Sequence, residues 1–94
     1  MKAELLLRER HQVASVAFVE LRIWRLISPV RGSAHTYKYS LAYVIAGECV
    51  LRYDNEVGKG DHKHWGAMEM AYRFTTPAAL IADFWRDVDE WRLE

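Results

Sequence analysis

Between Arg52 and His64 the chain reads Arg-Tyr-Asp-Asn-Glu-Val-Gly-Lys-Gly-Asp-His-Lys-His, a mixture that no packing requirement explains. His, Lys, Asp and Glu are poor core formers, so their concentration here points to chemistry rather than to burial. His62 and His64 are one residue apart, and in extended backbone both rings project to the same side. Gly58 and Gly60 permit a positive φ or a close backbone approach to a ligand. Imidazoles that titrate near neutrality, beside cations, suit proton transfer or anion binding.

Cleavage of RNA needs a base for the 2′-hydroxyl proton, an acid for the leaving 5′-oxygen and a cation near the phosphorane oxygens. His62 and His64 supply the acid and base, Arg52 and Lys59 the cation, and Asp54 a carboxylate that orients a histidine or Arg52. Lys63 and Asp61 sit in the same loop as candidate substrate contacts. His35, at the start of a strand, could reach the same end of the sheet, and Tyr39 and Trp65 could stack on bases. This reading calls for no metal and no cofactor. A metal-dependent enzyme is the alternative in which His-x-His supplies ligands, but zinc needs three or four. The others would come from Asp54, Glu56, Asp61 or His35, and Lys59 and Lys63 beside the pair would repel the ion. A third reading is a non-enzymatic module that clamps nucleic acid or a protein. The plainest is a solvated Gly/Lys/His loop.

The elements that must carry these residues follow from periodicity. Residues 2–10 and 17–26 alternate as strands, with Val19, Leu21 and Ile23 on one face and Glu20 and Arg22 on the other. His11 to Val16 connect them. Residues 36–45 put Tyr37, Tyr39, Leu41, Tyr43 and Ile45 on one face. Ala46-Gly47 turns the chain into a strand over Cys49–Tyr53, the charged loop runs from Asp54 to Gly66, and Met70–Phe74 is a short edge strand. The period then changes. Leu80, Ile81, Phe84, Trp85, Val88 and Trp91 recur at helical spacing, with Asp83, Asp87 and Glu90 on the opposite side. Thr76 before Pro77 is an N-cap followed by proline at the first helical position. The expected fold is α+β: an antiparallel sheet of four or five strands with one C-terminal helix packed on one face.

The whole chain is one domain of 94 residues, and its 51% hydrophobic and 13% aromatic content argues against disorder. Its zero net charge hides an asymmetry. Residues 1–76 carry 11 Lys/Arg against 8 Asp/Glu, and residues 77–94 carry 2 against 5. That excess is far below that of a dedicated nucleic-acid binder, although it tolerates a polyanionic ligand. The single cysteine, Cys49, excludes an internal disulfide framework and suggests a reducing, cytoplasmic setting. No apolar run approaches the roughly 20 residues of a membrane helix. Apolar and aromatic side chains on both sheet faces, Phe18 and Trp24 among them, would let a second copy pair as a homodimer.

The pattern Arg52-Tyr-Asp-Asn55 followed by His62-Lys-His64, after the strand that begins Tyr37-Lys-Tyr, resembles the TumE family of bacterial toxin–antitoxin toxins. The resemblance runs from Lys2-Ala-Glu-Leu-Leu to the Asp83-Phe-Trp helix. It implies the toxin of a two-gene module, neutralised by a cognate antitoxin protein and acting on RNA or translation. It puts Arg52, Asp54, Asn55, His62 and His64 in the family motif. Where family members often carry an Asp-Gly-type turn, this chain has Ala14-Ser-Val-Ala17, which implies an altered first hairpin.

Overall fold

A computed structural model describes residues 3–92. Its strands are β1 (Ala3–Ala14), β2 (Ala17–Leu26), β3 (Tyr37–Ile45), β4 (Glu48–Glu56), β5 (Gly60–Trp65) and β6 (Met68–Ala71), and one helix follows, α1 (Pro77–Arg92). The strands form a single antiparallel meander in chain order, with β1 and β6 at its edges. The fold is the expected α+β arrangement, but the sheet has six strands rather than four or five.

The extra strand comes from the segment read as a loop. β4 continues past Tyr53 to Glu56, a tight turn follows, and Gly60–Trp65 returns beside it with Asp54 opposite His62 and Arg52 opposite His64. Local composition argued for a loop, but the ladder of hydrogen bonds to β4 and β6 outweighs it, because strand formation depends on neighbours more than on intrinsic preference. The edge strand is correspondingly shifted to Met68–Ala71, and Phe74 lies outside it. The first hairpin is also tighter than expected. His11 to Ala14 belong to β1, with only Ser15 and Val16 between the strands. Lys2 lies outside the described residues.

Alternation sets the two faces. Val19, Leu21 and Ile23 of β2, Tyr39, Leu41 and Tyr43 of β3, and Leu51 and Tyr53 of β4 are all buried on the helix side. Leu80, Phe84 and Val88 of α1 close over them, each side chain contributing about 1.5–3 kcal/mol by leaving water. The helix starts as its sequence predicts, with the Ala79 N–H donating to Thr76 Oγ1 at 3.1 Å. Phe18, Glu20, Arg22 and Trp24 point to the other face and are half-buried. No helix covers that face among the described residues. Ala46-Gly47 makes the β3–β4 turn with φ of 49° and 82°, a pair of positive values that suits the twist of a two-residue hairpin.

One helix residue departs from expectation. Asp87, read as solvent-facing, is buried against the sheet, and Asp83 meets Tyr72. Asp87 Oδ2 accepts from Tyr53 OH at 2.5 Å and from Lys63 Nζ at 3.0 Å. The helix is therefore pinned by a buried ion pair as well as by apolar contact. Each charge offsets the other's cost of leaving water, with Lys63 still partly exposed.

Candidate functional site

β4 and β5 position the site, and what fixes β5 is its entry. The β4–β5 turn is pressed against the β2–β3 loop: the Gly58 N–H donates to the Arg31 carbonyl at 2.7 Å. A Cβ on Gly60 would stand 2.8 Å from the Gly32 oxygen, and one on Gly32 would stand 2.9 Å from the Gly60 nitrogen. Only glycine fits at both places. Immediately after Gly60 the chain alternates, so His62 and His64 fall on the uncovered face while Asp61, Lys63 and Trp65 fall under the helix.

On the uncovered face, Asp54, His62, His64 and Arg52 converge. Asp54 Oδ1 lies 2.7 Å from His62 Nε2, and both side chains are only 6% exposed. His62 Nδ1 lies 3.1 Å from the Gly60 carbonyl, to which it donates. The Asp54 oxygen misses the direction that a ring N–H bond requires, so Oδ1 and Nε2 are both buried without a directed hydrogen-bond partner. The His64 ring sits edge-on to that of His62, with centroids 5.1 Å apart. Arg52 Nη1 is 3.8 Å from Asp54 Oδ2. Exposure divides the group: His64 and Arg52 reach solvent at 30% and 46%, while His62 and Asp54 stand behind them. Lys59, on the turn, lines a groove with His62 and Glu69, and His64 and Arg52 line a second groove with Cys49 and Glu56.

The remaining candidates gather on the opposite face. Asp61 accepts three hydrogen bonds, from Ser33 Oγ at 2.7 Å, His35 Nε2 at 2.6 Å and Tyr39 OH at 2.7 Å. Burial pushes its carboxyl up, but the bonds from Ser33, Tyr39 and His35 outweigh burial and hold it below the usual carboxylate range. The Tyr39 hydroxyl moves the other way, raised by burial and then by its bond to Asp61. His35 stacks on Phe74 at 3.9 Å, and Trp65 packs on Trp91 at 5.0 Å. Lys63 points to Asp87. Thus the side chains of Lys63, His35, Tyr39 and Trp65 do not share a surface with the histidine pair, and Asp61, although it lines the Lys59 groove beside His62, makes its side-chain bonds on the far side. The alternation that aligned His62 with His64 put their neighbours across the sheet.

Asn55 is wholly buried and acts as a backbone substitute. Its Oδ1 accepts from the Tyr39 N–H at 3.0 Å and its Nδ2 donates to the Tyr37 carbonyl at 2.7 Å, continuing the β3–β4 ladder where main-chain pairing stops. The Arg-Tyr-Asp-Asn run is thereby divided: Arg52 and Asp54 face the site, Tyr53 and Asn55 hold the sheet together.

The family profile described as Toxin TumE matches residues 2–92. The chain belongs to the TumE toxin family. No curated protein and no solved structure matches it. TumE membership points to a toxin of a toxin–antitoxin system and implies a cognate antitoxin as partner. Among the described residues, no helix is long and apolar enough to cross a membrane.

Sequence reasoning missed Glu69, whose Oε2 lies 3.4 Å from His64 Nε2. It also missed Ser33 and Phe74, which complete the Asp61 and His35 contacts. Glu69 meets His64 only because β5 and β6 pair. No local spacing signal marks it.

Proposed function

We propose that this TumE-family toxin is a metal-independent ribonuclease that arrests translation by cleaving RNA on the uncovered sheet face. The observation that supports it is the convergence of Asp54, His62, His64 and Arg52 from two adjacent strands on one solvent-facing patch. His64 and Arg52, the exposed members, meet the substrate first. His64 takes the proton of a 2′-hydroxyl, while His62, oriented by the Gly60 carbonyl beside Asp54, supplies the proton that the leaving 5′-oxygen takes up. The Arg52 guanidinium neutralises the phosphorane oxygens, with Lys59 on the adjoining turn adding positive charge. The products are a 2′,3′-cyclic phosphate and a free 5′-hydroxyl.

The test is cleavage of RNA by purified protein in EDTA, parent against His64→Ala. The expected loss is on the order of 10²–10⁴-fold, the range for removing a positioned acid–base group. Degradation at substoichiometric protein, with cyclic phosphate ends, supports the enzyme. A parent that arrests growth yet breaks no RNA strand would overturn it in favour of a binding module that needs stoichiometric amounts.

A further inference from the structure

We propose that Asp54, His62 and His64 form a binding site for a late first-row divalent cation of the zinc class, and that the bound ion switches the toxin off. One oxygen of Asp54 and one nitrogen from each histidine lie within 4.8 Å of one another. The decisive observation is at His62. Its Nδ1 donates to the Gly60 carbonyl, so in the neutral form of the ring the lone pair is at Nε2, 2.7 Å from a carboxylate oxygen. Oδ1 and Nε2 are both buried, and neither has a directed hydrogen-bond partner. A cation held by both satisfies the pair, and Oδ1 lies to the side of the ring N–H direction, where it does not block the lone pair.

Half of the sequence objection to metal falls, while Lys59 stays on the turn and lines a groove with His62. Lys63, next to both histidines in the chain, points through the sheet to Asp87. Arg52 sits against Oδ2 of Asp54 and leaves Oδ1 free for an ion. Two imidazoles and one carboxylate suit zinc, cobalt or nickel rather than magnesium or calcium. At zinc–ligand distances of about 2.0–2.1 Å, tetrahedral donors stand roughly 3.4 Å apart, so Asp54 Oδ1 and His62 Nε2, now 2.7 Å apart, must separate slightly and the exposed His64 ring must rotate to close the set. Glu69, half-exposed, has its Oε2 3.4 Å from His64 Nε2 beside the set.

The switching consequence rests on the ribonuclease reading; the site itself does not. An ion on His64 occupies the nitrogen that must accept the 2′-hydroxyl proton. Untagged, chelator-stripped protein is titrated with zinc chloride by calorimetry, and with cobalt chloride by visible absorption. His64→Ala and Asp54→Asn are compared with His11→Ala, a control that alters an exposed His–Glu contact elsewhere on the sheet. The parent and the His11 variant should bind a single ion, with visible cobalt bands of a low-coordinate site. Both site variants should bind at least about tenfold more weakly. If Asp54→Asn fails to fold, His64→Ala decides the matter alone. Equal affinity in His64→Ala and the parent would overturn the site. Stoichiometric zinc should suppress RNA cleavage seen in EDTA. Activation by zinc would uphold the site and overturn the switch. If no RNA is cut in either condition the ribonuclease reading fails, while the titrations still judge the site.

Discussion

Replacing Asp61 by asparagine tests whether this carboxylate holds the β2–β3 loop to β5. In the parent, one carboxylate takes hydrogen bonds from Ser33, His35 and Tyr39, and its side chain is only 9% exposed. Hydrogen bonds to a charged group contribute about 1.5–3 kcal/mol, and neutral ones about 0.5–1.5. The amide oxygen of asparagine can still accept from Tyr39 and His35, and Ser33 can rotate to accept from the new NH₂. The loss is the charge assistance, about 2 kcal/mol in all after partial relief by water at His35 and Ser33. For a domain of this size each kcal/mol moves the midpoint by about 4–8 °C, so Asp61→Asn should melt about 8–16 °C lower at neutral pH. The pH dependence has a definite sign. The folded carboxyl titrates below its ordinary value of 3.8, so its stabilisation is complete above that pH and is lost as pH falls through the folded value. The gap between parent and variant, read by tryptophan fluorescence in thermal melts, should therefore be full at pH 7 and shrink in acid. A gap under about 0.5 kcal/mol at pH 7, or one that widens in acid, would refute the reasoning.

Three further outcomes follow from the same geometry. Gly60→Ala should cost about 3 kcal/mol, because φ of 75° is strained for alanine and its Cβ would strike the Gly32 oxygen; urea unfolding measures it. Asp87→Ala should cost about 3 kcal/mol by leaving the Lys63 ammonium half-buried without its partner, and adding Lys63→Met should recover at least half of that in the same assay. His64→Ala, on the uncovered face, should lose toxicity in a growth-arrest assay while its melting temperature stays within a few degrees of the parent's.

Strand periodicity made β2, β3 and their buried faces legible, because alternation over nine or ten residues leaves little freedom in which side chains go inward. The helix start was equally plain, since Thr76 and Pro77 carry their own local capping chemistry. Segment Gly60–Trp65 was not legible as a strand. Its glycine, aspartate, lysine and histidines favour a loop when read alone, and its conformation is decided by pairing with β4 and β6. Asp87 failed for a related reason: a carboxylate on a helix reads as solvent-facing unless a buried tyrosine and lysine wait opposite, and those lie 34 and 24 residues away.

By itself the sequence determined the fold class, the order of most elements, the family motif and the pairing of His62 with His64 on one side of the chain. These are properties of local period, capping and residue type. Only the tertiary structure decided that the charged stretch folds as a hairpin, that strand pairing sets Asp54 against His62 and Arg52 against His64, and that Asp61, Lys63, His35, Tyr39 and Trp65 make their side-chain contacts on the other face. The reason is physical: a strand's alternation is written in its own residues, but whether a polar stretch is a strand at all, and which charges meet across it, depends on hydrogen bonds and burial supplied by segments far away in the chain.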